Sequence, residues 1–159
     1  MRAIAIFAML LIAQPAFAGA RENIVAASKG IEGVLGQPLR PEGKMQGGST
    51  EDRDFCLGED YCEGRAADAV TVYAKGRGVI ALASSTVPVS TYRGVCLGIL
   101  DGLMVDDLQR SYLSATVEKA FQVASETGGA MSNVSPDLQF KVYPSGSERQ
   151  LQCEVILWQ

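Results

Sequence analysis

The chain has 159 residues, 47% of them hydrophobic and 20% charged, with 18 acidic residues, 14 basic ones and no histidine. Its length matches one compact domain with its own core, and its acidic balance argues against a nucleic-acid partner, because phosphate contacts need clustered Lys and Arg. Without histidine, Ser-His-Asp and Cys-His mechanisms are excluded, as are zinc sites that use an imidazole ligand.

Met1-Arg2, the apolar run AIAIFAMLLIA (3–13) and Ala16-Phe17-Ala18 before Gly19 have the layout of a secretory signal peptide, residues 1–18, cut after Ala18. The run is too short to span a bilayer, and the next one, GVCLGILDGLMV (94–105), carries Asp101 and several glycines, so no membrane insertion is expected after processing. The expected location is periplasmic or secreted, with residues 19–159 as a single domain. Removing Arg2 with the leader takes the 14 basic residues to 13 against 18 acidic ones, a net charge of −5. The stretch EDRDFCLGEDYCEGRAAD (51–68) holds seven acids and two bases, so the rest of the mature chain is balanced.

Residues 21–36 place Ile24, Ala27, Ile31, Val34 and Leu35 at helical spacing, although Gly30 and Gly33 weaken the helix. Pro38, Pro41 and four glycines mark 36–54 as a loop leading into the acidic block. AVTVYAK (69–75) and VIALASSTV (79–87), separated by Gly76-Arg77-Gly78, read as a β-hairpin. Pro88 closes it, and Ser90 or Thr91 is the expected cap of a helix with Tyr92, Val95, Cys96, Ile99, Leu100 and Leu103 on one face. A further helix follows Asp106-Asp107, with Leu113, Val117, Ala120, Phe121 and Ala124 on its apolar side and Gly128-Gly129 as its stop. LQFKVY (138–143), a turn at 144–147 and RQLQCEVILW (149–158) form a second hairpin, with Leu151, Cys153, Val155 and Leu157 pointing inward. The expected fold class is α+β, an antiparallel sheet of about four strands with helices packed on one face.

Four cysteines in an exported chain favour two disulfides, and three connectivities are open. Cys153 lies on the inward face of the last strand and Cys96 on the apolar face of the central helix, the two faces that should meet. This pairs Cys96 with Cys153 and Cys56 with Cys62, leaving the domain disulfide-stapled.

No catalytic residue, metal site or cofactor is assigned. The chain has no G-x-S-x-G, phosphate loop or G-x-G-x-x-G, and Thr116-x-x-Lys119 inside a predicted helix is the nearest approach to a Ser-Lys motif. A calcium loop starting at Asp52 would have Asp54 and Glu63 at the right ends. It fails in the middle, where Cys56 takes an oxygen-ligand position and Gly58 comes one residue late. A weak cation site among Glu51, Asp52, Asp54, Glu59 and Asp60 is the non-standard variant of that idea.

Gly94, Gly98 and Gly102 recur every fourth residue of the central helix, each costing about 1 kcal/mol relative to alanine. Another backbone is therefore expected against this stripe, either from the same chain or from a second copy in a homodimer. The surrounding segment, RGVCLGILDG (93–102), with Cys96, Gly98 and Gly102 in a Cys-x-Gly-x-x-x-Gly spacing, resembles a stretch of small periplasmic immunity proteins of type VI secretion systems. That resemblance implies an exported, compact, non-catalytic protein that binds and blocks a toxic enzyme, with Cys96 in a structural role.

The functional expectation is a non-enzymatic binding module, of the inhibitor or immunity kind, that meets a basic protein partner. Its binding residues are Asp54, Glu59, Asp60 and Glu63 of the acidic disulfide loop, with Phe55 and Tyr61 as apolar anchors. The rival reading is a small carboxylate-dependent hydrolase of the cell envelope, since paired Asp and Glu can hydrolyse glycosides.

Overall fold

Apolar residues three and four positions apart build the first helix, α1 (Ala20–Leu35), which buries Ile24, Ala27 and Ile31 completely. Gly36 ends it at φ 76°, a left-handed conformation suited to glycine, and donates its N–H to the Glu32 carbonyl. The computed structural model describes residues 19–42, 54–58, 60–67, 69–84, 86–104, 109–145 and 150–158. The leader expected at 1–18 lies outside the described residues.

Beyond α1 come β1 (Arg40–Pro41), β2 (Tyr61–Ala66), β3 (Val70–Lys75) and β4 (Gly78–Ala83), then α2 (Val89–Leu103) and α3 (Arg110–Thr127), and finally β5 (Ala130–Ser135), β6 (Leu138–Ser145) and β7 (Gln150–Leu157). The β3–β4 turn is Gly76-Arg77, with Gly76 at φ 54°, the positive value that a two-residue hairpin loop demands at its first position. The seven strands form one antiparallel sheet in the order β1-β2-β3-β4-β7-β6-β5. Alternation buries Val70, Val72 and Ala74 of β3, Val79 and Ala81 of β4, Phe140 and Val142 of β6, and Cys153 and Val155 of β7 on one face. The helices cover that face: α1 lies over β2 to β4, α2 over β4 and β7, and α3 over β5 and β6. The class is α+β.

Two expectations are corrected. The sheet has seven strands, not about four, because β1, β2 and β5 join the four that were anticipated. In β2 the inward positions are Cys62, Gly64 and Ala66, small residues that give no hydrophobic alternation to read, and in β5 only Val134 is buried. The second correction concerns α2, which begins at Val89 with Pro88 in the cap position and no side-chain cap bond. Ser90 and Thr91 therefore belong to its first turn, not its cap.

The glycine stripe is the crossing of α2 with α1. A Cβ on Gly98 would stand 2.5 Å from the Ile31 Cα, and one on Gly102 would run into the Ala26 carbonyl. Gly30 of α1 meets the same stripe, where a Cβ would fall 2.7 Å from the Gly102 Cα. The backbone expected against the stripe thus belongs to the same chain. Gly94 differs, since the atom nearest its missing Cβ is the flexible Leu35 Cδ2, at 2.8 Å.

Disulfides join Cys96 to Cys153 and Cys56 to Cys62. On the chain-entropy argument the first, closing 57 residues, stabilises by about 4 kcal/mol, and the second, closing six, by about 2. Paired thiols of this kind belong to an oxidising compartment outside the cytoplasm. Among the described residues no helix is long and apolar enough to cross a membrane.

Candidate functional site

The acidic loop is a small hairpin folded back on the edge of β2. Cys56 stands opposite Cys62 in an antiparallel bridge, the Leu57 N–H donates to the Tyr61 carbonyl at 3.1 Å, and the Glu63 N–H donates to the Phe55 carbonyl at 2.7 Å. Farther along β2, the two residues of β1 pair with Arg65 and Gly64, and the Glu42 N–H reaches the Glu63 carbonyl at 3.1 Å. The edge of the sheet is therefore closed by two short pieces of chain, and the Cys56–Cys62 bond ties the second of them down.

The expected binding residues separate on this scaffold. Asp54 accepts two hydrogen bonds from the Arg21 guanidinium of α1, at 2.8 and 2.6 Å. These bonds hold its carboxyl below the usual carboxylate range. Phe55 is half-buried on the helix side of the sheet, where its ring rests on Gly64 and a Cβ at that glycine would come within 3.0 Å. It is part of the packing around the core. Asp60 is exposed at the tip, next to Gly58 and to Leu57, which is 47% exposed. Glu59, like Glu51 and Asp52, lies outside the described residues. Among the described residues no group of three or more Cys, Asp or Glu side chains could hold a metal ion.

Tyr61 and Glu63 point the other way, onto the sheet face that carries no helix among the described residues. There the Tyr61 hydroxyl donates to Glu63 Oε2 at 2.9 Å, and its ring stacks on Tyr73 with centroids 6.1 Å apart. The pattern repeats across the sheet, where Tyr143 donates to Glu154 Oε2 at 3.2 Å and accepts from Gln152 Nε2 at 2.6 Å. Strand register connects the two groups: Glu63, Tyr73, Ile80, Glu154 and Lys141 stand in one row on β2, β3, β4, β7 and β6. Burial, with the neighbouring carboxylates, pushes Tyr61 and Tyr143 up to about 12 and raises Tyr73 as well. All three keep their protons over the physiological range, and Tyr61 and Tyr143 act as donors.

Chemically this row offers rings flanked by carboxylates, a seat for Lys or Arg side chains. Glu63 and Glu154 are three strand spacings apart, about 14 Å between Cα atoms, and each already accepts from a tyrosine hydroxyl. The acidic block points to Tyr61 and Glu63 in the sequence, whereas Tyr73, Tyr143, Gln152 and Glu154 join them only through strand register. The outward positions of the strands, two residues apart, were the available signal.

Compared with known proteins, the chain matches no family model, no curated protein and no solved structure.

Proposed function

We propose that this chain is a non-enzymatic binding module, periplasmic or secreted, of the inhibitor or immunity kind, and that it engages a basic protein through the stapled hairpin and the adjoining tyrosine row. The observation that carries the reading is the fixation of the hairpin. A disulfide and two backbone hydrogen bonds hold Asp60 at an exposed tip and Tyr61 beside Glu63 on the sheet face opposite α1, α2 and α3. A surface fixed in advance loses less entropy on binding, and its charge accelerates the encounter with a cationic partner. The signal-peptide pattern and the two disulfides support export. The resemblance of residues 93–102 to immunity proteins supports the inhibitory role.

The test is affinity capture from envelope extract with the mature protein, followed by association kinetics on the captured partner. Charge reversal by Asp60→Lys together with Glu63→Lys should slow association about tenfold or more at low ionic strength and flatten its salt dependence, with a loss of stability limited to the Tyr61–Glu63 hydrogen bond, about 1 kcal/mol. An unchanged rate with a correctly folded variant removes the hairpin from the interface.

A further inference from the structure

The two edges of the sheet are unlike. On one side β1 is two residues long, contains Pro41, and is followed along the edge by the disulfide-tied hairpin. On the other side β5 runs for six residues, AMSNVS, without a charge or a proline, and Met131 is 65% exposed. Its bulge lies between Asn133 and Ser135, so residues 130–133 keep regular pairing with β6. Among the described residues no backbone group or side chain bonds the outer edge of this strand. Sheet edges are normally blunted by lysine, proline or brevity, because an open row of N–H and C=O groups takes up another strand. Here one edge is blunted and the other is not.

A groove of about 670 Å³ runs beside β5, between Ala130 and Ser132, which share the helix side of the sheet with Val142 and Phe140, and Tyr112, Thr116, Lys119 and Val123 on α3. These four are spaced as one stripe of the helix, separate from the stripe of Leu113, Val117, Phe121 and Ala124 that packs into the core. α3 therefore shows a second face beside a strand whose outer edge has no partner among the described residues.

We propose that the β5 edge and the α3 groove beside it form a two-fold interface between two copies of this chain, joining their sheets antiparallel through β5. The spacing of the elements favours a second copy over an isolated peptide. α3 rests on both β5 and β6. A two-fold pairing of β5 with its counterpart sets the two α3 helices about two strand spacings apart, or roughly 9.6 Å, within the 8–10 Å at which helices pack. One symmetry operation thus supplies a strand for the open edge and a helix for the groove, whereas a lone peptide satisfies the edge and leaves much of the α3 stripe uncovered. The uncharged β5 is compatible with itself, as an isologous contact requires. Lys119 is the single charge among the groove residues, and its long stem lets the ammonium reach solvent at the rim.

Light scattering coupled to size exclusion on the mature, oxidised protein at micromolar concentration tests this, together with two variants, Met131→Lys on the strand and Thr116→Arg on the helix. The wild-type chain should be a dimer. Each variant, melting as the wild type does, should weaken dimerisation about tenfold or more by placing like charges near the axis or bulk in the helix seam. The amides of residues 130–133 that point away from β6 should exchange with solvent about tenfold more slowly in the dimer than in either variant. A monomeric wild-type chain overturns the proposal, and so does a dimer that both variants leave intact. If the chain is monomeric and those amides are protected only in complex with another protein, the occupant of the edge is a strand of that protein.

Discussion

The hydroxyl of Tyr92 accepts a hydrogen bond from the N–H of Cys153 at 2.8 Å, while Cys153 is disulfide-bonded to Cys96, one helical turn beyond Tyr92 on α2. The same hydroxyl donates to the carbonyl of Ala81, the residue opposite Cys153 on the neighbouring strand, at 2.6 Å. A helix is thus fastened to the centre of the sheet twice, once covalently and once through a buried polar bridge. Tyr92→Phe keeps the ring against Phe121, with which it forms an edge contact at 5.6 Å, but strands a buried N–H and a buried carbonyl. The expected loss is about 2 kcal/mol in urea denaturation of the oxidised protein. A loss near zero would show that the two backbone groups find each other or water once the hydroxyl is gone.

The two staples should be unequal. Peptide mapping of the unreduced protein should recover Cys96 linked to Cys153 and Cys56 linked to Cys62. Cys153→Ser should lower stability more than Cys62→Ser, by about 4 against about 2 kcal/mol on loop length alone. Cys62 and Cys153 are both fully buried, so the difference expected here rests on loop length. An equal effect would mean that the hairpin bond also secures the edge of β2, and with it part of the core.

Alanine replacements along the α1–α2 crossing should separate backbone contact from helix propensity. Gly33 is exposed, and the nearest atom to a new Cβ there is on the flexible Arg110 side chain, so Gly33→Ala should stabilise by up to about 1 kcal/mol. At Gly102 the same change drives a methyl into the Ala26 carbonyl, and destabilisation of about 1–3 kcal/mol or more is expected despite the better propensity. Thermal melts of the two variants decide the point: a shift in the same direction would rule out close packing of the two helix backbones.

The elements that were legible in the sequence carry strong periodicity over a long enough span. Ile24, Ala27 and Ile31 mark α1, and the alternation of Leu151, Cys153, Val155 and Leu157 marks β7. That alternation, set beside the apolar face of α2, was enough to pair Cys96 with Cys153. β2 was hidden because its inward residues are Cys62, Gly64 and Ala66, sized to let α1 and Phe55 approach, while its outward Tyr61, Glu63 and Arg65 read as part of an acidic loop. The site suffered from the same cause. Phe55 and Tyr61 look alike as aromatic residues flanking one disulfide loop, yet the hairpin and the pleat of β2 send them to opposite faces of the sheet. Tyr73 reaches Tyr61, and Glu154 falls into the row of Glu63, only through pairings between strands distant in the chain. No local pattern encodes that register.

The tyrosine row carries a prediction about alkaline pH. Tyr61 and Tyr143 titrate near 12 in the folded chain, first because burial penalises the phenolate and then because Glu63 and Glu154 stand beside them. In the unfolded chain both should titrate near 10. Between those values the folded state holds protons that the unfolded state has released, so stability falls as pH rises from about 10 to about 12, and below about 10 these groups leave it unchanged. Denaturation midpoints taken across that window should decline, and the ultraviolet signal of phenolate should appear later than in free tyrosine. Glu63→Gln removes the charge beside Tyr61 but not its burial, so it should return the Tyr61 titration only part of the way towards 10 and soften the decline. Tyr61 titrating at its ordinary value in the folded protein would mean that its hydroxyl is open to water and not held by Glu63, and would take from the proposed binding surface the fixed donor on which its geometry depends.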